Sequence, residues 1–195
     1  MSLDDPNPEN ARALALVARI ARHDQQALAE LYRALSPQVH AFVLRQLGNP
    51  DEAREVTVDT LHEVWKHAAE FRGDALVRTW VFGIARHKLL DRLRQRPRMR
   101  TVDLDEVRET LPSEDASAFE LLARQQRSEQ VAHCLERLSP EHRECVQLVF
   151  FHDLPLAEVA AIQQCPANTV KTRLFHARRN LKRCLEHRIQ EEGDD

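Results

Sequence analysis

Lys171, Thr172, Phe175, His176 and Arg179 recur at spacings that place them on one side of a single helix. That set suits the edges of bases in a DNA major groove. Lysine addresses guanine O6 and N7, and threonine or phenylalanine touches a thymine methyl. Arg173, Arg178 and Lys182 flank it as candidate phosphate contacts, and Asn168 stands at the N-terminal end as a candidate N-cap. A second cationic set lies earlier in the chain. Arg72, Asp74 and Arg78 lead into Trp80, and Arg86, Lys88 and Arg92 follow it. A tryptophan beside a loop and a basic helix either packs in a core or offers a stacking platform to an unstacked base. Glu55 and Asp59, four apart, share one helix face, either simply solvated or a docking face for a basic partner helix. No Gly-rich phosphate loop, HExxH pair or Ser/His/Asp arrangement is readable, so no catalytic residue, metal ligand or cofactor is assigned.

The elements that must carry these residues are helical. The 195 residues include 25 Leu and 23 Ala against 4 Ile, 7 Thr and 4 Gly. Such a composition favours helices over strands and excludes a β-sandwich or barrel. With 43% apolar and 30% charged residues, the chain is not wholly disordered. No apolar run reaches the length of a membrane span, and the acidic, Pro-rich start has no signal core, so a cytoplasmic protein without membrane insertion is expected. Cys134, Cys145, Cys165 and Cys184 form no CxxC pair, and in a reducing compartment a disulfide framework is not expected. Cys134, Cys145 and Cys184 fall on apolar stripes and read as small buried hydrophobes. A metal or redox sensor built on His133, Cys134, His142, Cys145 and His152 lacks the tight ligand pairs of zinc sites.

The formal net charge of −3 conceals segregation. Residues 71–100 carry a net +7, 103–120 a net −6 and 167–188 a net +6. One such cluster is as easily a solvated face as a binding face; two, each attached to an apolar helical stripe, point to two surfaces for a polyanion. The acidic stretch contains Pro112, Ser113 and Ser117 without an apolar period and reads as a flexible linker. The predicted organisation is all-α: a helical domain over 11–100, a linker over 101–127 and a second helical domain over 128–188.

In the first domain, stripes at Leu14, Val17, Ala18 and Ala21 and at Leu28, Leu31, Tyr32 and Leu35 predict two helices. Ser36-Pro37 predicts the start of a third, which Gly48-Asn49-Pro50 ends. A longer helix carries Ala53, Val56, Leu61, Val64, Trp65 and Ala68. The last carries Val77, Trp80, Val81, Ile84, Leu89 and Leu93 and ends near Pro97. In the second domain, Val131, Cys134, Leu135 and Leu138 predict one helix and Ser139-Pro140 starts another. Leu156, Val159, Ala160 and Ile162 form a short helix. Val170, Leu174, Ala177, Leu181 and Leu185 then form a long amphipathic one. A short helix, a tight turn and a basic helix fit a helix-turn-helix or an ordinary αα-hairpin. The turn often uses Gly, but here Gln164 either adopts the left-handed conformation or the turn has another shape.

The sequence resembles the sigma-70 superfamily, specifically the extracytoplasmic-function (ECF, group IV) RNA polymerase sigma factors. The resemblance is carried by Phe71-Arg72-Gly73-Asp74 with Arg78-Thr79-Trp80-Val81-Phe82-Gly83-Ile84-Ala85-Arg86 and Asp91-Arg92-Leu93-Arg94. It is carried equally by Leu138-Ser139-Pro140-Glu141 with Pro166-Ala167-Asn168-Thr169-Val170-Lys171-Thr172-Arg173-Leu174. Residues 25–98 are similar to sigma region 2 and 128–188 to region 4. The resemblance implies a polymerase specificity subunit with no active site of its own, which directs core polymerase to specific promoters and initiates melting. Its implied partners are core polymerase, through the β′ clamp helices and the β flap, promoter DNA and an anti-sigma factor. It implies that Glu55 and Asp59 dock on the clamp helices. The loop 71–79 and helix 80–98, with Arg72, Asp74, Arg78, Trp80, Arg86, Lys88 and Arg92, would recognise and melt the −10 element. Asn168, Lys171, Thr172, Arg173, Phe175, His176 and Arg179 would read the −35 element. Val58 stands where the family usually has Gln, Asn168 replaces the usual Gly and His176 replaces the usual Arg. A neutral imidazole at 176 weakens guanine or phosphate readout and ties it to pH near the unperturbed histidine pKa of about 6.5. The alternative reading is a stand-alone helix-turn-helix transcriptional regulator.

Overall fold

The computed structural model describes residues 8–95 and 129–193. The predicted linker over 101–127 and the cations Arg96, Arg98 and Arg100 lie outside the described residues. Among those described, regular structure is entirely helical. They divide into two compact units, one of residues up to Gln95 together with Ala157–Gln164, the other of the remainder.

The first unit is built on α1 (Pro8–Ile20), α2 (Gln25–Leu47), α3 (Pro50–His67) and α4 (Val77–Gln95), with a 3-10 turn at Ala68–Glu70. The helix ends are closed by side chains, which satisfy donors that a helix leaves orphaned. Asp24 accepts from Gln26 N at 2.9 Å and Ala27 N at 3.1 Å. These bonds, led by that from Ala27 and reinforced by Arg19, hold its carboxyl below the usual carboxylate range. Asn49 accepts from Asp51 N at 2.9 Å and Glu52 N at 3.2 Å, with Pro50 in the first turn. Gly48 closes α2 at φ 66°, where a Cβ would be strained, and donates its N–H to Leu44 O at 2.8 Å. The α4 start is capped from a distance: Asn10 Oδ1 on α1 accepts from Val77 N at 3.0 Å.

The α2 helix runs through Pro37 without a break, so the predicted helix start at Ser36-Pro37 is corrected. The long apolar face of α2 overrides the helix-breaking preference of proline: Leu31, Leu35, Val39, Phe42 and Val43 are all buried. In α1 the buried stripe is Leu16, Val17 and Ile20, while Leu14 and Ala18 are exposed; the predicted register is shifted around the helix. The core centres on Phe42 and Phe82, whose rings are tilted with centroids 5.5 Å apart. Thr57 and Thr60 are also buried, their hydroxyls donating to the carbonyls of Ala53 and Val56 at 2.7 Å.

The second unit contains α5 (Glu129–Glu136), α6 (Pro140–Val146), a π-helical turn at Gln147–Phe151 and α8 (Ala167–Gly193). Ser139 caps α6, its hydroxyl accepting from His142 N at 3.4 Å, with Pro140 at the first position. Arg143 Nη2 reaches back to close α5, donating to Glu136 O at 2.7 Å and Leu138 O at 3.2 Å. Both α5 and α6 pack on α8, whose predicted stripe is buried at Val170, Leu174, Ala177 and Leu181 and half-buried at Leu185. Next in chain order is α7 (Leu156–Gln163), grouped from Ala157 onward with the first unit, with Val159, Ala160 and Ile162 buried. Gln164 takes the left-handed alternative at φ 53°. The α8 helix begins at Ala167, and the Pro166 carbonyl accepts from Thr169 N at 2.9 Å and Val170 N at 3.3 Å. Asn168 is therefore a first-turn residue and not the predicted N-cap.

The cysteines also correct the sequence reading. Cys145 is buried, as expected, but Cys134 on α5 and Cys184 on α8 are joined in a disulfide with a Cα–Cα distance of 5.8 Å. The fold brings together sulfurs 50 residues apart, which one-dimensional spacing does not disclose.

Two stability predictions follow from these packing details. Asn49→Ala removes an N-cap and is expected to cost about 1 kcal/mol in urea unfolding. Replacement by Asp, which keeps the acceptor, should leave the midpoint within a few tenths of a kcal/mol. His142 is held below its ordinary pKa, first by burial and then by the adjacent His176. A lowered histidine pKa means that the unfolded chain binds more protons. That contribution is complete above the unfolded-state value of about 6.5 and falls as pH drops below it. The unfolding midpoint should thus fall between pH 7.5 and 5.5, and His142→Gln should flatten that dependence.

Candidate nucleic-acid interface

The first candidate surface is assembled by α3, α4 and the loop between them. Gly73 permits the sharp Arg72-Gly73-Asp74 turn at φ 78°, leaving Arg72 and Asp74 exposed. On α4, Val77, Val81, Phe82, Ala85 and Leu89 face the core. Arg78, Arg86, Lys88 and Arg92 are half-buried on the remaining circumference. Trp80 is half-buried too and stacks on Phe71, with centroids 4.5 Å apart and planes 28° apart. Neither sequence alternative describes it fully: the indole is outside the sealed core, but one face is already covered by a phenyl ring. A base reaching this place would extend an existing aromatic stack.

The second feature is an acidic row on α3. Glu55 and Asp59 are exposed, and Glu63 continues the row one turn on. Two members are paired with α4: Arg92 Nη2 donates to Glu55 Oε2, and Lys88 Nζ donates to Glu63 Oε1 at 2.9 Å. The Lys88 bond holds the Glu63 carboxyl below its ordinary pKa. The residues expected at two different interfaces, Glu55 and Arg92, are therefore partners of each other. Glu63 was missed by pair counting, although its four-residue step from Asp59 was the available signal. Beside the row is an apolar groove of about 540 Å³ lined by Leu28, Tyr32, Val58, Leu61 and Trp65 with Gln25 and His62. Val58 is 52% exposed and Tyr32 is 42% exposed, unusual for large apolar side chains.

The third feature is the exposed side of α8. Asn168, Lys171, Thr172 and Arg179 are exposed, while Arg173, Phe175 and His176 are half-buried. The Thr172 hydroxyl donates to Asn168 O at 3.0 Å, which fixes its rotamer one turn from the helix start. Arg173 Nη1 lies 3.6 Å from the Cys165 sulfur. His176 meets Phe175 edge-on at 5.5 Å and stacks on His142 of α6 at 6.1 Å. His142 was unassigned by sequence reasoning because only folding brings α6 against α8. The expected reading residues thus share a helix face held by a buried stripe on its other side. Among the described residues, no three His, Cys, Asp or Glu side chains are grouped to hold a metal ion, and no helix is long and apolar enough to cross a membrane.

Comparison with known proteins assigns this architecture. Residues 31–99 match the sigma-70 region 2 family and residues 128–181 match sigma-70 region 4. The ECF RNA polymerase sigma factor SigK of Mycobacterium tuberculosis is 32% identical over 177 residues, covering 88% of this chain and 92% of SigK. Among solved structures, CnrH in complex with the cytosolic domain of CnrY has a similar fold, with a TM-score of 0.66 at 24% identity. That match covers 90% of this chain and 98% of CnrH. The sigma factor RpoE of Bartonella quintana, solved with the anti-sigma factor NepR, gives a TM-score of 0.61 at 22% identity over 81% of this chain and 96% of its own. With both regions matched in order and SigK aligned over nearly its whole length, the chain belongs to the ECF group of the sigma-70 family.

Proposed function

We propose that the protein is the promoter-specificity subunit of a bacterial RNA polymerase, acting in the cytoplasm without an active site of its own. The observation that carries this reading is the occurrence of two cationic helices, α4 and α8, each anchored by its own apolar stripe, in a chain that matches sigma regions 2 and 4 in order. Residues 11–100 dock on core polymerase and engage the −10 element, 128–188 read the −35 element and 101–127 connect them. A stand-alone regulator would leave the cations and aromatic stack of the first unit without a purpose.

In this reading the N-terminal half of α8 enters the major groove. Lys171 and Thr172 address base edges, Phe175 and His176 supply apolar and polar contact, and Asn168, Arg173 and Arg179 fix the helix on the phosphates. Arg72, Asp74, Arg78 and Trp80 engage the opened −10 element, and Arg86, Lys88 and Arg92 follow its backbone. Stacking on an aromatic ring offsets part of the cost of extruding a base, by about 1–3 kcal/mol. Glu55 and Asp59 meet cations of the β′ clamp helices, and the neighbouring apolar groove takes a side chain between them. The β flap is the further polymerase contact. Bartonella RpoE was solved with an anti-sigma factor, and an anti-sigma factor is proposed as the inhibitor here, covering polymerase-binding surfaces.

The deciding experiment adds the purified chain to core polymerase and promoter fragments selected from its own genome. Opening should require both proteins; sequence-specific duplex binding by the chain alone, with no effect of polymerase, would contradict the reading. Lys171→Ala should weaken the holoenzyme's binding to its −35 element by about 1–3 kcal/mol and relax sequence preference. Equal loss on every sequence would assign Lys171 to phosphate. Trp80→Ala should slow promoter opening, read by permanganate reactivity of unpaired thymines, more than it weakens closed-complex binding. Equal effects on the two steps would return Trp80 to packing.

A further inference from the structure

His176 stands on the side of α8 that carries Lys171, Thr172 and Arg179, and a second helix holds its ring. His142 on α6 lies against it with centroids 6.1 Å apart and planes 22° apart, the separation of an offset stack. Phe175 meets the same ring edge-on, with centroids 5.5 Å apart. Both imidazoles are half-buried. The backbone beneath His142 is fixed by the Ser139 cap, which accepts from His142 N, and by Pro140 in the first turn of α6. An arginine reaches a base edge on a long, flexible stem with several donors. An imidazole is short and offers each nitrogen in one direction, so it reads a base only when its ring plane is already set.

The two rings differ in their hold on a proton. Burial first, then His176, keep His142 below its ordinary pKa; Glu141 opposes this and Arg173 adds to it. Arg173 and Arg179 stand three residues to either side of His176 on α8. Two imidazolium rings at this separation repel each other, so the pair is suited to one proton. A neutral His142 ring beneath a charged His176 leaves that charge on the ring nearer the exposed face, and a protonated imidazole has two N–H donors where the neutral form has one.

We propose that His142 is a positioning residue for −35 reading: stacked across from α6, it orients the His176 ring so that a proton taken up on DNA binding is donated to guanine O6 or N7. This role rests on the −35 reading proposed above for α8. Guanine presents two acceptors in the major groove, which a correctly turned imidazolium can meet and a freely turning one meets only part of the time. The proton comes from solvent and returns to it when the duplex dissociates, so binding and pH are linked.

The test has two arms. The first uses the full chain alone, labelled at histidine. The His176 Cε1–H resonance should lose its ring-current shift in His142→Leu and retain one of the same sign in His142→Phe. A resonance indifferent to the loss of the ring overturns the stack. The second arm measures holoenzyme binding to promoter duplex between pH 7.5 and 6.0, on the native −35 element and on each single-base change within it. Wild-type affinity should rise as pH falls, and His176→Gln should abolish the rise. At pH 6.0, His142→Leu should weaken binding about tenfold, the scale of one lost base contact. That loss should be confined to elements keeping the guanine, with a flattened pH profile, and His142→Phe should retain both affinity and profile. Equal loss on every sequence overturns the positioning role, as does wild-type behaviour of His142→Leu. If no base change in the element alters wild-type binding, the −35 reading fails and the positioning role with it, while the first arm still decides the stack.

Discussion

A helix crowded with lysine and arginine cannot bury its whole circumference, and the rest of this structure depends on that constraint. Desolvating an isolated cation costs far more than a packed side chain returns. Both α4 and α8 therefore turn a narrow apolar stripe inward and leave their cations at or near the surface. On α4 the stripe is Val77, Val81, Phe82, Ala85 and Leu89; on α8 it is Val170, Leu174, Ala177 and Leu181. The caps and turns then set where each charged face begins. Asn10 fixes the start of α4, and the left-handed Gln164 with the Pro166 carbonyl fixes the start of α8. Binding chemistry in this protein is what remains after the core has taken its share of each helix.

Within the first unit the same constraint produces the α3–α4 pairs. Arg92 finds Glu55 and Lys88 finds Glu63, so part of the cationic face carries its own counter-ions when no polyanion is bound. Partly exposed pairs of this kind contribute little to stability and are screened by salt. In the function proposed above, they are suited to exchange, in which phosphate would replace the carboxylate on Arg92 and a partner's cation would replace the guanidinium on Glu55. The acidic row and the basic helix are consequently two sides of one electrostatic layer, and a substitution in either alters both.

The stripes of α3, α5 and α8 were legible in the sequence because burial selects apolar residues at helical spacing, whatever the neighbour. The segregated charges were legible for the complementary reason. Periodicity fails where tertiary packing decides between two apolar faces. In α1, Leu14 and Leu16 are both plausible, and only Leu16 turns inward. In α4, Phe82 enters the core while Trp80 stacks on Phe71 at its edge. Pro37 misled because local propensity is weak against a long buried face. Glu63, His142 and the Cys134–Cys184 bond share a further reason: each gains its significance from a partner on another helix. The resemblance to sigma factors rested on local motifs, which survive these ambiguities.

The central claim is that both basic helices contact one promoter in the polymerase-bound state. It is tested most directly by the salt dependence of holoenzyme binding to a promoter duplex carrying both elements. For each phosphate contact removed, the slope of log K against log salt should become shallower by about 0.9. The account predicts such a reduction for Arg179→Ala on α8 and, separately, for Arg92→Ala on α4, with a combined reduction in the double variant. An unchanged slope for either single variant would contradict it.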